Sequence, residues 1–275
     1  GDIVEYEEGV GQDHLNIIKE VLPRRNCIVR RSANLSRQNH LIAANVDMVF
    51  LVVTLVLPEV KQQFVDRFLV TCQAYDAPVT ILLNKCDFYL DENGNTTEDE
   101  AVREVEEFKL IYKKANYQVV DISAKNGYNI PWLREMCKDK IVLFSGQSGV
   151  GKSSLINALD PSLDLRTAQI SKAHLQGKHT TTFYQMHPIS TGGFVIDTPG
   201  IRGFGLVNFS KEELSNYFPE MLKIEDGCRF APCTHTHEPG CAIKDAVEKG
   251  LIAEERYASY LAMLEEDSKY REGDG

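Results

Sequence analysis

The stretch Ile141-Val142-Leu143-Phe144-Ser145-Gly146-Gln147-Ser148-Gly149-Val150-Gly151-Lys152-Ser153-Ser154 decides how the rest of this 275-residue chain is read. A short apolar run gives way to glycine at 146, 149 and 151, and Lys-Ser-Ser comes directly after the last of them. The pattern G-x-x-x-x-G-K-[ST] needs a buried strand before it and a helix after it. Both are predicted here, a strand over 139–145 and a helix over 151–159. Glycines let the backbone curl so that successive N–H groups converge on an anion, and the helix N-terminus adds a favourable dipole. Gly146 to Ser154 are therefore expected to cradle phosphates, with Lys152 neutralising them and the Ser153 hydroxyl ligating Mg2+.

On the N-terminal side of this loop, residues 46–57 form a near-continuous β-branched apolar run, the mark of a strand buried on both faces of a parallel sheet. Pro58 is read as opening a helix that carries Val60, Phe64, Phe68, Cys72 and Tyr75 on one face. A strand over 78–84, an acidic helix over about 98–116, a strand over 117–122 and a helix over 129–137 complete the rhythm. Such alternation predicts an α/β domain with a doubly wound sheet. On the C-terminal side, strands over 183–189 and 193–197 flank Ser190-Thr191-Gly192-Gly193, which reads as a hairpin.

Two further motifs lie at strand ends, where an open α/β sheet binds ligands. Asn84-Lys85-Cys86-Asp87 offers a carboxylate that accepts from both N1–H and N2–H of guanine, groups that adenine lacks at that edge. Alone it is a weak signal, but with Ser123-Ala124-Lys125, whose Ala124 N–H can meet guanine O6, it becomes strong. Asp197-Thr198-Pro199-Gly200 would hold Mg2+ through water and sense the γ-phosphate at the Gly200 N–H. Ile201 comes next, where familiar small GTPases carry a water-orienting glutamine. Because the base-reading motifs precede the phosphate loop, the parts appear in rotated order, and the expected fold is a circularly permuted P-loop GTPase domain binding GTP and GDP. Gly177-Lys178-His179-Thr180-Thr181-Thr182 occupies the place of a flexible switch. Thr181 is the chosen Mg2+ ligand there; His179 either positions water or is simply a polar loop residue.

Seven cysteines split into four scattered ones and a group of three near the C-terminus, a distribution suited to a reducing compartment and a metal site rather than to disulfides. Cys228, Cys233 and Cys241, with an imidazole from His235 or His237, match a closed structural zinc site. Short alternating pieces before residue 43 look like β-barrel material too brief to close a barrel, so either preceding residues are missing or the barrel is incomplete. The net charge is -10, yet Arg24, Arg25, Arg30, Arg31 and Arg37 lie in a stretch without acids, compatible either with RNA contact or with a solvated basic face. No apolar run reaches the roughly 20 residues of a membrane span and no signal pattern opens the chain, so a cytoplasmic protein without membrane association is expected.

Together these residues resemble the RsgA (YjeQ) family, the ribosome small-subunit-dependent circularly permuted GTPases. The resemblance rests on the rotated motif order, residues 146–154, residues 177–182 and the Cys-x4-Cys-x-His-x5-Cys pattern, which selects His235 over His237. It implies a partial OB-type RNA-binding barrel at 1–42, a circularly permuted GTPase domain at 43–207 and a helical zinc-knuckle domain at 208–275. It also implies one structural zinc per chain, a monomer, the small (30S) subunit and its rRNA as partners, and a catalytic role for His179 alongside Lys152 and Thr181. Two readings remain open: a ribosome-stimulated GTP hydrolase acting in late subunit maturation, and an RNA-binding assembly factor that senses GTP with negligible turnover.

Overall fold

The structure is a computed structural model that describes residues 1–9, 15–31, 39–91, 96, 100–165, 184–198, 210 and 212–272. Two antiparallel pairs come first: β1 (Val4–Glu7) with β2 (Ile17–Val21), and β3 (Cys27–Arg31) with β4 (Asn39–Ala44). Asn26 ties this region to the start of the main sheet, donating from Nδ2 to the Val46 carbonyl at 2.8 Å and accepting from the Val46 N–H at 2.9 Å. Two arginines of the basic stretch are paired with carboxylates, Arg24 with Asp2 and Arg25 with Asp47, each at 2.6 Å. Part of the positive charge seen in the sequence is therefore satisfied within the chain.

The α/β unit runs β5 (Met48–Val53), α1 (Gln62–Ala74), β6 (Val79–Asn84), α2 (Glu100–Lys114), β7 (Val119–Ile122), α3 (Ile130–Cys137), β8 (Lys140–Ser145), α4 (Lys152–Leu159), β9 (Gln185–Pro188) and β10 (Gly193–Asp197). Val49 to Val53 are wholly buried, as expected of a strand covered on both faces. The six strands order as β7-β6-β5-β8-β10-β9, all parallel except β9, which pairs antiparallel with β10. Counted from β8 through β10 and then onward from β5, the sheet reads two, three, one, four, five, six. The phosphate-loop strand thus starts a P-loop sheet although it lies late in the chain. From β8 the chain turns to one side for β9 and β10, while β5 to β7 lie on the other, so the loop after β8 opens at the switch point of the sheet.

Helix α1 begins four residues beyond the expected Pro58. Residues 54–60 form a closed turn instead: the Thr54 hydroxyl donates to the Pro58 carbonyl, the Val60 N–H donates to the Thr54 carbonyl at 3.0 Å, and Leu57 has a φ of 49°. A proline has no N–H to contribute and restricts its predecessor, so here it serves the turn rather than the helix start.

The C-terminal region adds α5 (Pro219–Leu222), α6 (Ala242–Glu248) and α7 (Glu254–Glu272). Its apolar core of Leu214, Phe218, Met221, Ile243, Tyr260 and Met263 includes Val70 from α1, so a helix of the six-stranded sheet unit completes it.

Candidate nucleotide site and Cys/His centre

The loop 146–151 leaves β8 with Gly146 at φ 148°, Gly149 at φ 86° and Gly151 at φ 95°, all in the left-handed half of backbone space. A Cβ on Gly146 would meet the Val52 carbonyl oxygen at 2.3 Å, and one on Gly151 would meet Asn84 Nδ2 at 2.4 Å. Glycine is required here by conformation and by close approach at once. Gly151 is the N-cap of helix α4, and no side chain caps the first turn, which leaves the N–H groups of that turn available to an anion. Lys152 is buried, and its ammonium donates to the Gly146 carbonyl at 3.0 Å and the Gln147 carbonyl at 2.9 Å. Burial lowers its pKa to about 8 against the opposing pull of Asp197. A cation held under those conditions is suited to phosphate oxygens. Gln147, Ser148, Val150, Ser153 and Ser154 complete the loop and the first turn of α4.

The two motifs expected to read a base converge on the same place. Asn84 ends β6 and donates from Nδ2 to the Val150 carbonyl at 2.7 Å, joining base motif to phosphate loop. Its buried Oδ1 has no partner among the described residues, the mark of a polar site that a ligand completes. Lys85, in left-handed conformation at φ 65°, reaches the Gly149 carbonyl at 3.0 Å and also the Leu57 carbonyl. Burial lowers the Lys85 pKa, with Asp87 opposing. Cys86 is buried and opens the single turn Cys86–Phe88 that presents Asp87. Asp87 accepts from the Ser123 hydroxyl at 2.7 Å through Oδ1 and from Lys125 Nζ at 3.0 Å through Oδ2. Burial raises the Asp87 pKa, but those two hydrogen bonds outweigh it and hold the carboxylate charged. Ser123 in turn accepts from the Lys125 N–H at 3.2 Å, and the half-buried Ala124 packs against the main core.

Asp197 ends β10 opposite Phe144 and is buried. Thr198, which the sequence reading passed over as a site residue, is also buried and donates to the Phe144 carbonyl at 2.9 Å, fixing the end of β10 beside the phosphate-loop strand. His179, Thr181, Gly200 and Ile201 lie outside the described residues.

In the C-terminal region, Cys228, Cys233, His235 and Cys241 place their ligand atoms within 4.8 Å of one another. His235 Nδ1 lies 3.6 Å from Cys228 Sγ and 3.4 Å from Cys241 Sγ. His235 takes φ 56°, and the carbonyls on either side of its N–H are held by tyrosines: Tyr257 donates to the His235 carbonyl at 2.6 Å and Tyr260 to the Thr234 carbonyl at 2.9 Å. Burial lowers the His235 pKa and so favours the neutral ring that ligation requires. His237 is exposed, with its Nδ1 2.9 Å from the Thr236 hydroxyl. The three thiols and one buried imidazole fit a tetrahedral zinc ion.

The family model for the RsgA GTPase matches residues 21–207, more than half of the chain. The chain belongs to the RsgA GTPase family. A relative from Bacteroides fragilis named small ribosomal subunit biogenesis GTPase RsgA is 46% identical over 264 residues, which is 95% of this chain and 83% of that protein. Among solved structures, YjeQ from Thermotoga maritima is 36% identical with a TM-score of 0.74, the match covering 97% of this chain and 83% of that one. YloQ, described as a circularly permuted GTPase, is 29% identical with a TM-score of 0.71 over 98% of this chain and 80% of that one. Membership in the RsgA family makes this protein a circularly permuted GTPase that hydrolyses GTP, and guanine nucleotide is its ligand. The reading as a sensor without turnover is not favoured. Among the described residues no helix is long and apolar enough to cross a membrane.

Proposed function

We propose that this GTPase acts in biogenesis of the small (30S) ribosomal subunit, binding the subunit and its rRNA and hydrolysing GTP when docked. The observation that supports this reading is the hydrogen bond from Asn84 Nδ2 to the Val150 carbonyl, which joins the Asn84–Asp87 motif to the phosphate loop, in a chain whose relatives are named for that role. In this reading Asn84 to Asp87 and Ser123 to Lys125 hold the base, and Gly146 to Ser154 hold the phosphates. Ser153, Thr181 and, through water, Asp197 would hold Mg2+, which would neutralise phosphate charge. Gly200 senses the γ-phosphate. Lys152 balances charge on the transferred group, and His179 orients the attacking water because Ile201 cannot.

The organisation that goes with it has an OB-type RNA-binding unit at 1–42, the GTPase unit at 43–207 and a zinc unit at 208–275 with one zinc on Cys228, Cys233, His235 and Cys241. The protein would work as a cytoplasmic monomer. The test is GTP turnover with and without purified small subunits, in wild type and His179→Ala. A partner-completed site in other GTPases gains about 10³ to 10⁵ in rate, so strong stimulation is expected, lost in His179→Ala with GTP affinity retained. No stimulation by small subunits removes the ribosomal reading, and full stimulation of His179→Ala removes the histidine from it.

A further inference from the structure

Behind the two loops that read the base lies a connection that none of the nucleotide motifs contains. Tyr89 comes two residues after Asp87, at the exit of the turn Cys86–Phe88, and is 2% exposed. Its hydroxyl donates to Asp121 Oδ1 at 2.9 Å. Asp121 sits on β7 two residues ahead of Ser123, and its Oδ2 takes an ion pair from Lys109 of α2 at 2.7 Å. Lys109 also pairs with Glu106 at 3.1 Å on its own helix. Asn129 Nδ2 donates to the Asp121 carbonyl at 2.8 Å, which draws in the far end of the loop 123–128. Burial, reinforced by Asp121, raises the Tyr89 pKa and keeps the phenol a donor.

The base-reading loops are therefore tied twice. The front tie consists of Asp87, Ser123 and Lys125, groups that a bound base itself engages or displaces, so it cannot fix the spacing on its own. The rear tie uses no residue of either base motif, and its ion pair is largely shielded from solvent, with side-chain exposures of 24% for Lys109 and 19% for Asp121. We propose that Tyr89, Asp121 and Lys109 form a positioning brace that fixes the gap between Asp87 and Ala124 and so sets selectivity for guanine over hypoxanthine. The proposal rests on the reading of Asp87 and Ala124 as base ligands. Guanine offers Asp87 two donors, N1–H and N2–H, and offers Ala124 the O6 acceptor; hypoxanthine lacks the N2 amino group. A bidentate contact needs both carboxylate oxygens in the plane of the base. A loosened brace loses the second hydrogen bond first, so guanine suffers more than hypoxanthine.

Tyr89→Phe removes one hydroxyl and keeps the ring. With the full chain, dissociation constants for GDP and IDP are measured by calorimetry for wild type, Tyr89→Phe, Lys109→Met and the double variant. The loss of one hydrogen bond is worth about fivefold, so GDP affinity is expected to fall by about that factor, IDP affinity by less, and the double variant by less than the product of the singles. If Tyr89→Phe lowers thermal stability while the GDP to IDP ratio stays at its wild-type value, the brace is merely structural and the proposal fails. Asp87→Asn distinguishes failure of the brace from failure of the base site, since a carboxamide there favours XDP. If Asp87→Asn switches preference to XDP while the Tyr89→Phe ratio is unchanged, the brace alone is wrong. If Asp87→Asn leaves the preference unchanged, the base-site reading falls and takes the brace with it.

Discussion

Lys152 carries its charge in a buried place where burial holds its pKa near 8. Phosphate oxygens would stabilise the charged form and raise that pKa again. Between the two values, nucleotide binding must take up a proton, so affinity for GTP is expected to be flat below about pH 8 and to weaken as pH rises above it. The sign for the protein without nucleotide is opposite: the unfolded chain holds the lysine proton to higher pH, so stability from this group rises from about pH 8 towards the ordinary lysine value. Calorimetry of GTP binding at pH 8.5 in buffers of different ionisation enthalpy measures the uptake directly, and a buffer-independent enthalpy would show that Lys152 is already fully charged. The geometry of this loop was legible in the sequence because the loop brings all its own parts within nine residues, 146–154. The contact of Lys85 with the Leu57 carbonyl was not, since it depends on a turn at 54–60 that the apolar run 46–57 conceals.

At the level of elements, local pattern located every strand of the six-stranded sheet, and the misplaced start of α1 came from reading Pro58 as a helix opener when side-chain and backbone bonds had closed it into a turn. The hairpin β9–β10 holds a tie that pattern could not reveal. Asp160, just past α4, accepts from the Ser190 N–H at 2.6 Å and from the Ser162 N–H and hydroxyl at 3.0 and 2.7 Å. The Ser190 bond, with those from Ser162, lowers the Asp160 pKa to about 2. A depressed carboxyl stabilises the fold above its unfolded pKa and loses that contribution as pH falls through the folded value. Asp160→Asn is expected to cost about 1.5–3 kcal/mol at pH 7, with the gap to wild type closing between about pH 4 and pH 2 in denaturant melts. A gap constant over that range would mean that the charge of Asp160 contributes nothing. The Cys/His centre is a second element-level case: the family spacing favoured His235, and folding gives the physical reason, holding it between two tyrosine-bound carbonyls while His237 is exposed. Metal analysis should find about one zinc per chain in His237→Ala and a deficit in Cys233→Ser and His235→Ala. Loss of zinc from His237→Ala with retention in His235→Ala reverses the assignment.

Across the whole molecule, the rotated motif order announced the rotated sheet, but nothing in the sequence announced how the C-terminal region is joined to it. Arg256, in the first turn of α7, has a side chain that is 1% exposed. It pairs with Asp66 of α1 at 2.8 Å and with Glu220 of α5 at 2.7 Å, and its guanidinium lies 4.6 Å from the Phe218 ring centroid. Tyr112 of α2 donates to the same Asp66 oxygen at 2.9 Å. Asp66 and Arg256 are 190 residues apart, a separation at which periodicity carries no information. Removing one partner of a buried ion group leaves the others charged and unpaired, which costs about 3–5 kcal/mol. Arg256→Ala strands two carboxylates and is expected to destabilise by at least that amount, whereas Asp66→Asn, which keeps a hydrogen-bond acceptor and the Glu220 pair, should cost less. Because the ion group and Val70 join the two cores, wild-type protein in urea should lose zinc and nucleotide binding in one coincident transition. In Arg256→Ala the zinc release should move to lower urea while the nucleotide transition stays near its wild-type midpoint. Coincident transitions in the variant would mean that apolar contact with α1 alone couples the two parts, and the buried charges would then serve only local packing.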